Sequence, residues 1–151
     1  MNESAHISEQ CEQPAPQEFP APIGKLLGLR LMRNGPRRAM VEFDADERYA
    51  NPMGTMHGGV LCDIADSAMG AAYLSCLVEG ETFTTIELKI NFLRPVRTGK
   101  LRAEARTVRS GHTIDPVECD IFDQQQHLVA RASSTCMTLR GILAEGRELH
   151  A

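Results

Sequence analysis

From Gly59 to about Leu77 the residues are apolar nearly all the way round when they are placed roughly 100° apart on a helix. Val60, Leu61, Ile64, Ala65, Ala68, Met69, Ala71, Ala72 and Cys76 cover most of the circumference, while Asp63, Asp66, Ser67 and Gly70 gather into one polar or small stripe. A helix of this kind is a buried one, and Gly80 stops it. A chain with a single such helix has to supply a surface that wraps it.

The rest of the pattern supplies strands. Residues 23–28 read as a short helix ending at Gly28. Residues 29–33 and 38–43 read as two strands joined at the Asn34-Gly35 turn signal. Residues 44–56, with Pro52 and Gly54, read as a loop. After the helix come four β-rich segments, 82–93, 101–108, 117–122 and 128–139, separated by turns at 97–100, 110–112 and 123–127. Ile86, Leu88, Ile90 and Phe92 alternate with Glu87, Lys89 and Asn91, so one sheet face is expected to meet the core and the other water. Pro116 places the third segment at an edge or a bulge. Two strands, one long helix and four strands make an α+β fold, a long central helix wrapped by a curved antiparallel sheet. Residues 1–20, polar and carrying Pro14, Pro16 and Pro20, are expected to form a flexible tail, residues 21–140 the domain and residues 141–151 a second tail.

The bulk properties exclude several function classes. A formal net charge of −4 gives no basic field for nucleic acid. No apolar run is long enough to span a bilayer, and the first residues lack the basic and apolar regions of a secretory signal. Five cysteines, Cys11, Cys62, Cys76, Cys119 and Cys136, are scattered without a CxxC pair, which reads as reduced thiols in a cytoplasmic protein.

Chemistry concentrates just ahead of the helix. Asn51, His57, Gly58 and Gly59 precede it, and Asp66 lies about two turns inside. A carboxylate in an apolar helix is costly unless it is paired, hydrogen-bonded or working. The unpaired N–H groups of a helix start favour developing negative charge. Together these suggest an oxyanion donor set facing a carboxylate that attacks a carbonyl or activates water. Each residue also has a plainer reading. Asp66 could order the helix, and Asp63 could be a first-turn acid stabilised by the helix dipole. Asn51 before Pro52 could be turn chemistry, and the two glycines could serve packing. His57 reads as a polar donor or a cap, because no Cys or His spacing offers a metal its other ligands. Arg94, Arg97, Lys100, Arg109 and His112 fall near strand ends, where basic groups can take phosphate.

The string Asn51…Gly54-x-x-His57-Gly58-Gly59-x4-Ile64-Ala65-Asp66, followed by Asn91-Phe92-Leu93-Arg94-Pro95, resembles hotdog-fold acyl-CoA thioesterases of the phenylacetate-degradation (PaaI-like) group. The resemblance runs from about Ile23 to Leu139. It implies a hotdog fold and hydrolysis of acyl-CoA thioesters, with Asp66 as nucleophile or general base. It implies that Asn51, His57 and the Gly58 N–H polarise the carbonyl and that Thr85 places water. Gly59, Arg94, Arg109 and His112 are the expected substrate contacts. No metal or resident cofactor is expected, coenzyme A arriving as part of the substrate. The resemblance also implies a homo-oligomer, a dimer or a homotetramer built as a dimer of dimers, with sites shared between subunits. The rival reading is a non-catalytic acyl-CoA-binding hotdog module.

Overall fold

Alternating apolar residues build most of the sheet. In the strand Arg38–Ala45 the buried positions are Ala39, Val41, Phe43 and Ala45; in Gly99–Thr107 they are Leu101, Ala103, Ala105 and Thr107. The computed structural model describes residues 15–109 and 111–147. Residues 1–14 of the expected tail, Cys11 among them, Ser110 of the expected turn 110–112, and residues 148–151 lie outside the described set.

The elements are β1 (Gln17–Glu18), α1 (Pro22–Leu27), β2 (Arg30–Gly35), β3 (Arg38–Ala45), a 3-10 turn (Glu47–Tyr49), α2 (Gly58–Leu74), β4 (Thr82–Phe92), β5 (Gly99–Thr107), β6 (Ile114–Asp123), β7 (Leu128–Leu139) and a final 3-10 turn (Gly141–Leu143). All seven strands form one antiparallel sheet in the order β1-β2-β3-β5-β6-β7-β4. It curves round α2 in the hotdog arrangement. Ile64, Ala65, Ala68, Met69 and Ala72 of α2 meet Val41 and Phe43 of β3, Ala103 of β5, Val117 and Ile121 of β6 and Ala132 of β7 in one core. Alanines on both sides let the helix lie close to the sheet. Each fully buried Val, Ile or Phe there contributes about 1.5–3 kcal/mol.

Several expectations are corrected. Gln17–Glu18, assigned to the tail, pair with β2, and Phe19 is buried in the core. The first hairpin turns at Pro36-Arg37 and not at Asn34-Gly35, because the ladder continues through Asn34↔Ala39 and Gly35↔Arg38. Proline presets the first turn position, and Arg37 takes the left-handed one at φ 64. Arg37 is held there because its N–H donates to Ser75 Oγ at 2.8 Å, just past the end of α2. Its guanidinium donates to Thr107 O and to Val108 O at 3.0 Å.

Pro116 lies in β6, an interior strand between β5 and β7. In an antiparallel ladder a residue's N–H and C=O face the same neighbour. Pro116 O accepts from Val108 N, so the donor that proline lacks would face Val108 O. The Arg37 guanidinium occupies that carbonyl instead.

The helix is not covered all round within one chain. Asp63 and Asp66 are exposed, and Cys62, Ser67 and Gly70 are half-buried. This open stripe faces the groove beside β4, which ends the sheet.

Candidate functional site

The apolar alternation in β4 does not run uniformly. Phe83 and Thr85 face the helix at odd positions, whereas Leu88 and Ile90 pack on the core at even ones. A bulge between Thr85 and Glu87 changes the parity. Ile86 is the extra residue and is 55 % exposed, contrary to its expected place in the core. The bulge lets one edge strand present a threonine to the helix stripe and leucine and isoleucine to the core.

Thr85 Oγ1 donates to Asp66 Oδ1 at 3.4 Å. This bond is long, at the weak end of hydroxyl–carboxylate hydrogen bonds. Asp66 is open to water on one side of the single chain, yet enough protein surrounds the carboxyl to raise it above the usual carboxylate range. Burial is the largest cause, the Thr85 hydrogen bond opposes it, and the charge of Asp63 adds to it. Cys62 beside them has its thiol pushed up, chiefly by burial and then by Asp63 and Asp66. A raised thiol is a poor nucleophile. Cys62, Asp63, Asp66, Thr85, Ile86 and Leu88 line a shallow cleft of about 360 Å³ between α2 and β4.

At the helix start, Met56 N donates to Val96 O at 2.7 Å and His57 N to Tyr49 O at 2.8 Å, which fixes the approach to α2. His57 is the N-cap: its Nδ1 accepts the Gly59 N–H at 2.9 Å. An imidazole nitrogen that accepts carries no proton, so in this state the ring proton sits on Nε2 and His57 is a neutral donor. The Gly59 N–H is thereby used, while that of Gly58 has no partner among the described residues. Gly58 packs against the ring of Phe92; a Cβ there would stand 2.8 Å from Phe92 Cζ.

Asn51 is committed to its turn. Its Oδ1 accepts from Met53 N at 2.9 Å and Thr55 N at 3.2 Å, and its Nδ2 donates to Thr55 Oγ1 at 3.0 Å. One amide hydrogen is left over.

The basic residues divide. Arg94 and Arg97 follow β4 near the N-terminal end of α2, where Arg97 donates to Gly54 O at 2.9 Å, whereas Lys100 pairs with Glu42 on the outer face of the sheet. Arg109 and His112 lie at the C-terminal end of α2, where His112 O accepts from Arg140. One chain thus brings Asp66 and Thr85 together and His57 onto Gly59, but holds these two basic groups apart.

Other polar clusters stand away from the cleft. Tyr73 OH donates to the buried Asp115 at 3.1 Å and meets Thr138 Oγ1 at 2.7 Å; Gly111 N also donates to Asp115. Sequence reasoning missed this cluster because Tyr73 reads as one more large residue of an apolar helix. A larger depression of about 520 Å³ lies on the outer sheet face, among the Arg106–Glu118 and Arg131–Asp120 pairs. Its charges largely satisfy one another, so size does not make it the chemical centre. Among the described residues no group of three or more His, Cys, Asp or Glu side chains is placed to hold a metal, and no helix is long and apolar enough to cross a membrane.

Comparison with known proteins agrees with this fold. The model of the thioesterase superfamily matches residues 53–130. A thioesterase from Haemophilus influenzae is 30% identical with a TM-score of 0.73, over 81% of this chain and 84% of that one. A conserved protein from Pseudomonas aeruginosa is 31% identical with a TM-score of 0.76, over 83% of this chain and 100% of that one. The PaaI protein of the E. coli phenylacetic acid degradation operon is 27% identical with a TM-score of 0.73, over 79% of this chain and 85% of that one.

Proposed function

Because this chain belongs to the thioesterase superfamily, we propose that it hydrolyses acyl-CoA thioesters and that Asp66 drives the reaction as nucleophile or general base. The observation that carries this reading is the Asp66 carboxylate itself. It stands on the open stripe of an otherwise apolar helix, bonded to Thr85 across a cleft.

In this reading the thioester oxygen lies against the Gly58 N–H, where the helix dipole favours negative charge. The Nε2–H of His57 and the spare amide hydrogen of Asn51 assist it. Asp66 attacks the carbonyl carbon, or takes a proton from a water that does so, and Thr85 orients that water. In the first route a C–O bond to Asp66 forms as the C–S bond breaks, and a water then hydrolyses the mixed anhydride to the free acid and regenerates Asp66. In the second the water's C–O bond forms as the C–S bond breaks, and the proton held by Asp66 goes to the departing thiolate of coenzyme A. The thiolate is a good leaving group, so no strong general acid is demanded. Coenzyme A comes with the substrate, and the scheme uses no resident cofactor. Arg94 at one end of α2, or Arg109 and His112 at the other, take its phosphates.

The site is shared between subunits of a homo-oligomer, a dimer or a dimer of dimers. Two features support this. Among the described residues no strand pairs with the outer edge of the eleven-residue β4, and Ile86 and Phe92 on it and Leu93 just past it are each 55 % exposed. Such an edge is a template for a second copy. Pairing would bring the helix start of one subunit toward the partner subunit's Asp66.

The test is thiol release across short-chain, long-chain and aryl acyl-CoAs, with Asp66→Asn as control. Turnover that Asp66→Asn abolishes supports the assignment. Tight binding with no thiol release would make the chain an acyl-CoA-binding module.

A further inference from the structure

Two phenylalanines of β4 are seated on two glycines of α2. Phe92 packs on Gly58, as described. Phe83 packs on Gly70, where a Cβ would lie 3.4 Å from its Cζ. Phe83 also meets the buried Tyr73 edge to face, ring centroids 5.3 Å apart. The two seats are separated by about 18 Å of helix at 1.5 Å per residue, and Asp66 lies between them. It stands about 12 Å from the Gly58 seat and about 6 Å from the Gly70 seat on the same scale. The cleft lining includes Asp66 and Thr85 and does not extend to Gly70 or Phe83.

We propose that Phe83, braced by Tyr73 and seated on Gly70, is the end wall of the acyl site and confines this chain to short acyl groups. The proposal rests on the acyl-CoA reading above. A carbonyl held at Asp66 leaves only a short arm, about 6 Å of helix, before the Phe83 seat, and the acyl group lies in it. The pantetheine leaves by the open side of the cleft, past the exposed Ile86. A long acyl chain would have to displace a ring that is supported on both sides.

The test uses binding, so that it does not depend on turnover. Affinities of butanoyl-, octanoyl- and dodecanoyl-CoA are measured by calorimetry on full-length Asp66→Asn, with and without Phe83→Ala. With Phe83 present, affinity should fall between butanoyl and dodecanoyl by at least about tenfold, the scale of discrimination a hydrophobic pocket achieves. Phe83→Ala should abolish or reverse that order. Phe83→Leu, which keeps more of the core filled, should move it in the same direction and serves if the alanine variant fails to fold. An unchanged chain-length order in both variants overturns the end wall. Equal affinity for all lengths with Phe83 in place overturns it while leaving the acyl-CoA reading intact. Absence of binding by every acyl-CoA overturns both.

Discussion

Thr85 reaches Asp66 only because the chain inserts Ile86 beside it: the bulge turns the threonine toward the helix, and Oγ1 then lies 3.4 Å from Oδ1. The hydrogen bond lowers a carboxyl that burial and Asp63 raise. If ionised Asp66 does the chemistry, activity falls as pH drops through its elevated pKa. The acid limb of kcat/KM should therefore lie above the ordinary carboxylate range of roughly 3.9. Thr85→Val removes the lowering contact and should move the limb up. Asp63→Asn removes a raising charge and should move it down. Rate profiles against pH for the three proteins check the order; a limb that ignores both changes would remove Asp66 from the rate-limiting ionisation.

Asp66→Asn should lower kcat by about two orders of magnitude or more, the range of a lost general base. It should also raise Tm at neutral pH. The folded pKa lies above the unfolded one, so ionising Asp66 costs the native state above that range. The gain should vanish at pH values below the unfolded pKa, where the carboxyl is neutral in both states. Calorimetric melts at neutral and acid pH measure it. A destabilised variant would mean that the carboxylate is structural.

Asn51 holds its turn through Oδ1 and has one amide hydrogen to spare. Asn51→Asp keeps the acceptor and loses the donor. We expect normal folding and a kcat reduced by about tenfold to a hundredfold, the low end for one oxyanion donor, with KM little changed. An intact kcat with raised KM would leave Asn51 as a turn residue alone.

If the sites are shared between subunits as proposed, mixtures of variants test it. Impaired Asn51→Ala and inactive Asp66→Asn subunits, once exchanged, should give more activity than the two variants measured separately, since a mixed dimer holds one intact site. Confirmed exchange with no recovery would place each site within one chain.

The Tyr73 hydroxyl is pushed up to about 12, first by burial and also by Asp115, against a hydrogen bond with Thr138. Stability should accordingly fall as pH rises from roughly 10, the unfolded value, toward that of the folded state. Tyr73→Phe should lack this alkaline loss. At neutral pH it should cost about 1–3 kcal/mol by depriving Asp115 of a donor, and kcat should stay near normal. Denaturant melts at neutral and alkaline pH decide it.

Much of this architecture is legible in the chain. The period of α2, the stop at Gly28 and the whole of β7 follow from hydrophobic spacing and a left-handed glycine, because local pattern and burial agree there. Asp66 stands out for the opposite reason, as a carboxylate where the pattern calls for an apolar residue. What escapes depends on partners distant in sequence. Pro116 reads as an edge marker until Arg37, far away in sequence, caps the carbonyl it leaves bare. Ile86 reads as core until pairing with β7 shows that the strand has one residue too many. Phe83 and Phe92 gain meaning only through the glycines beneath them.

The two margins of the sheet are unequal: β1 is two residues long and β4 is eleven. In terms of valence, the described residues offer one long edge for docking, that of β4. Growth by strand addition needs two, so a second copy that pairs on β4 consumes both partners' capacity at once. If copies pair on β4 as proposed, extension of the sheet through that edge closes at a pair, and the strand that joins the two copies also ends their growth.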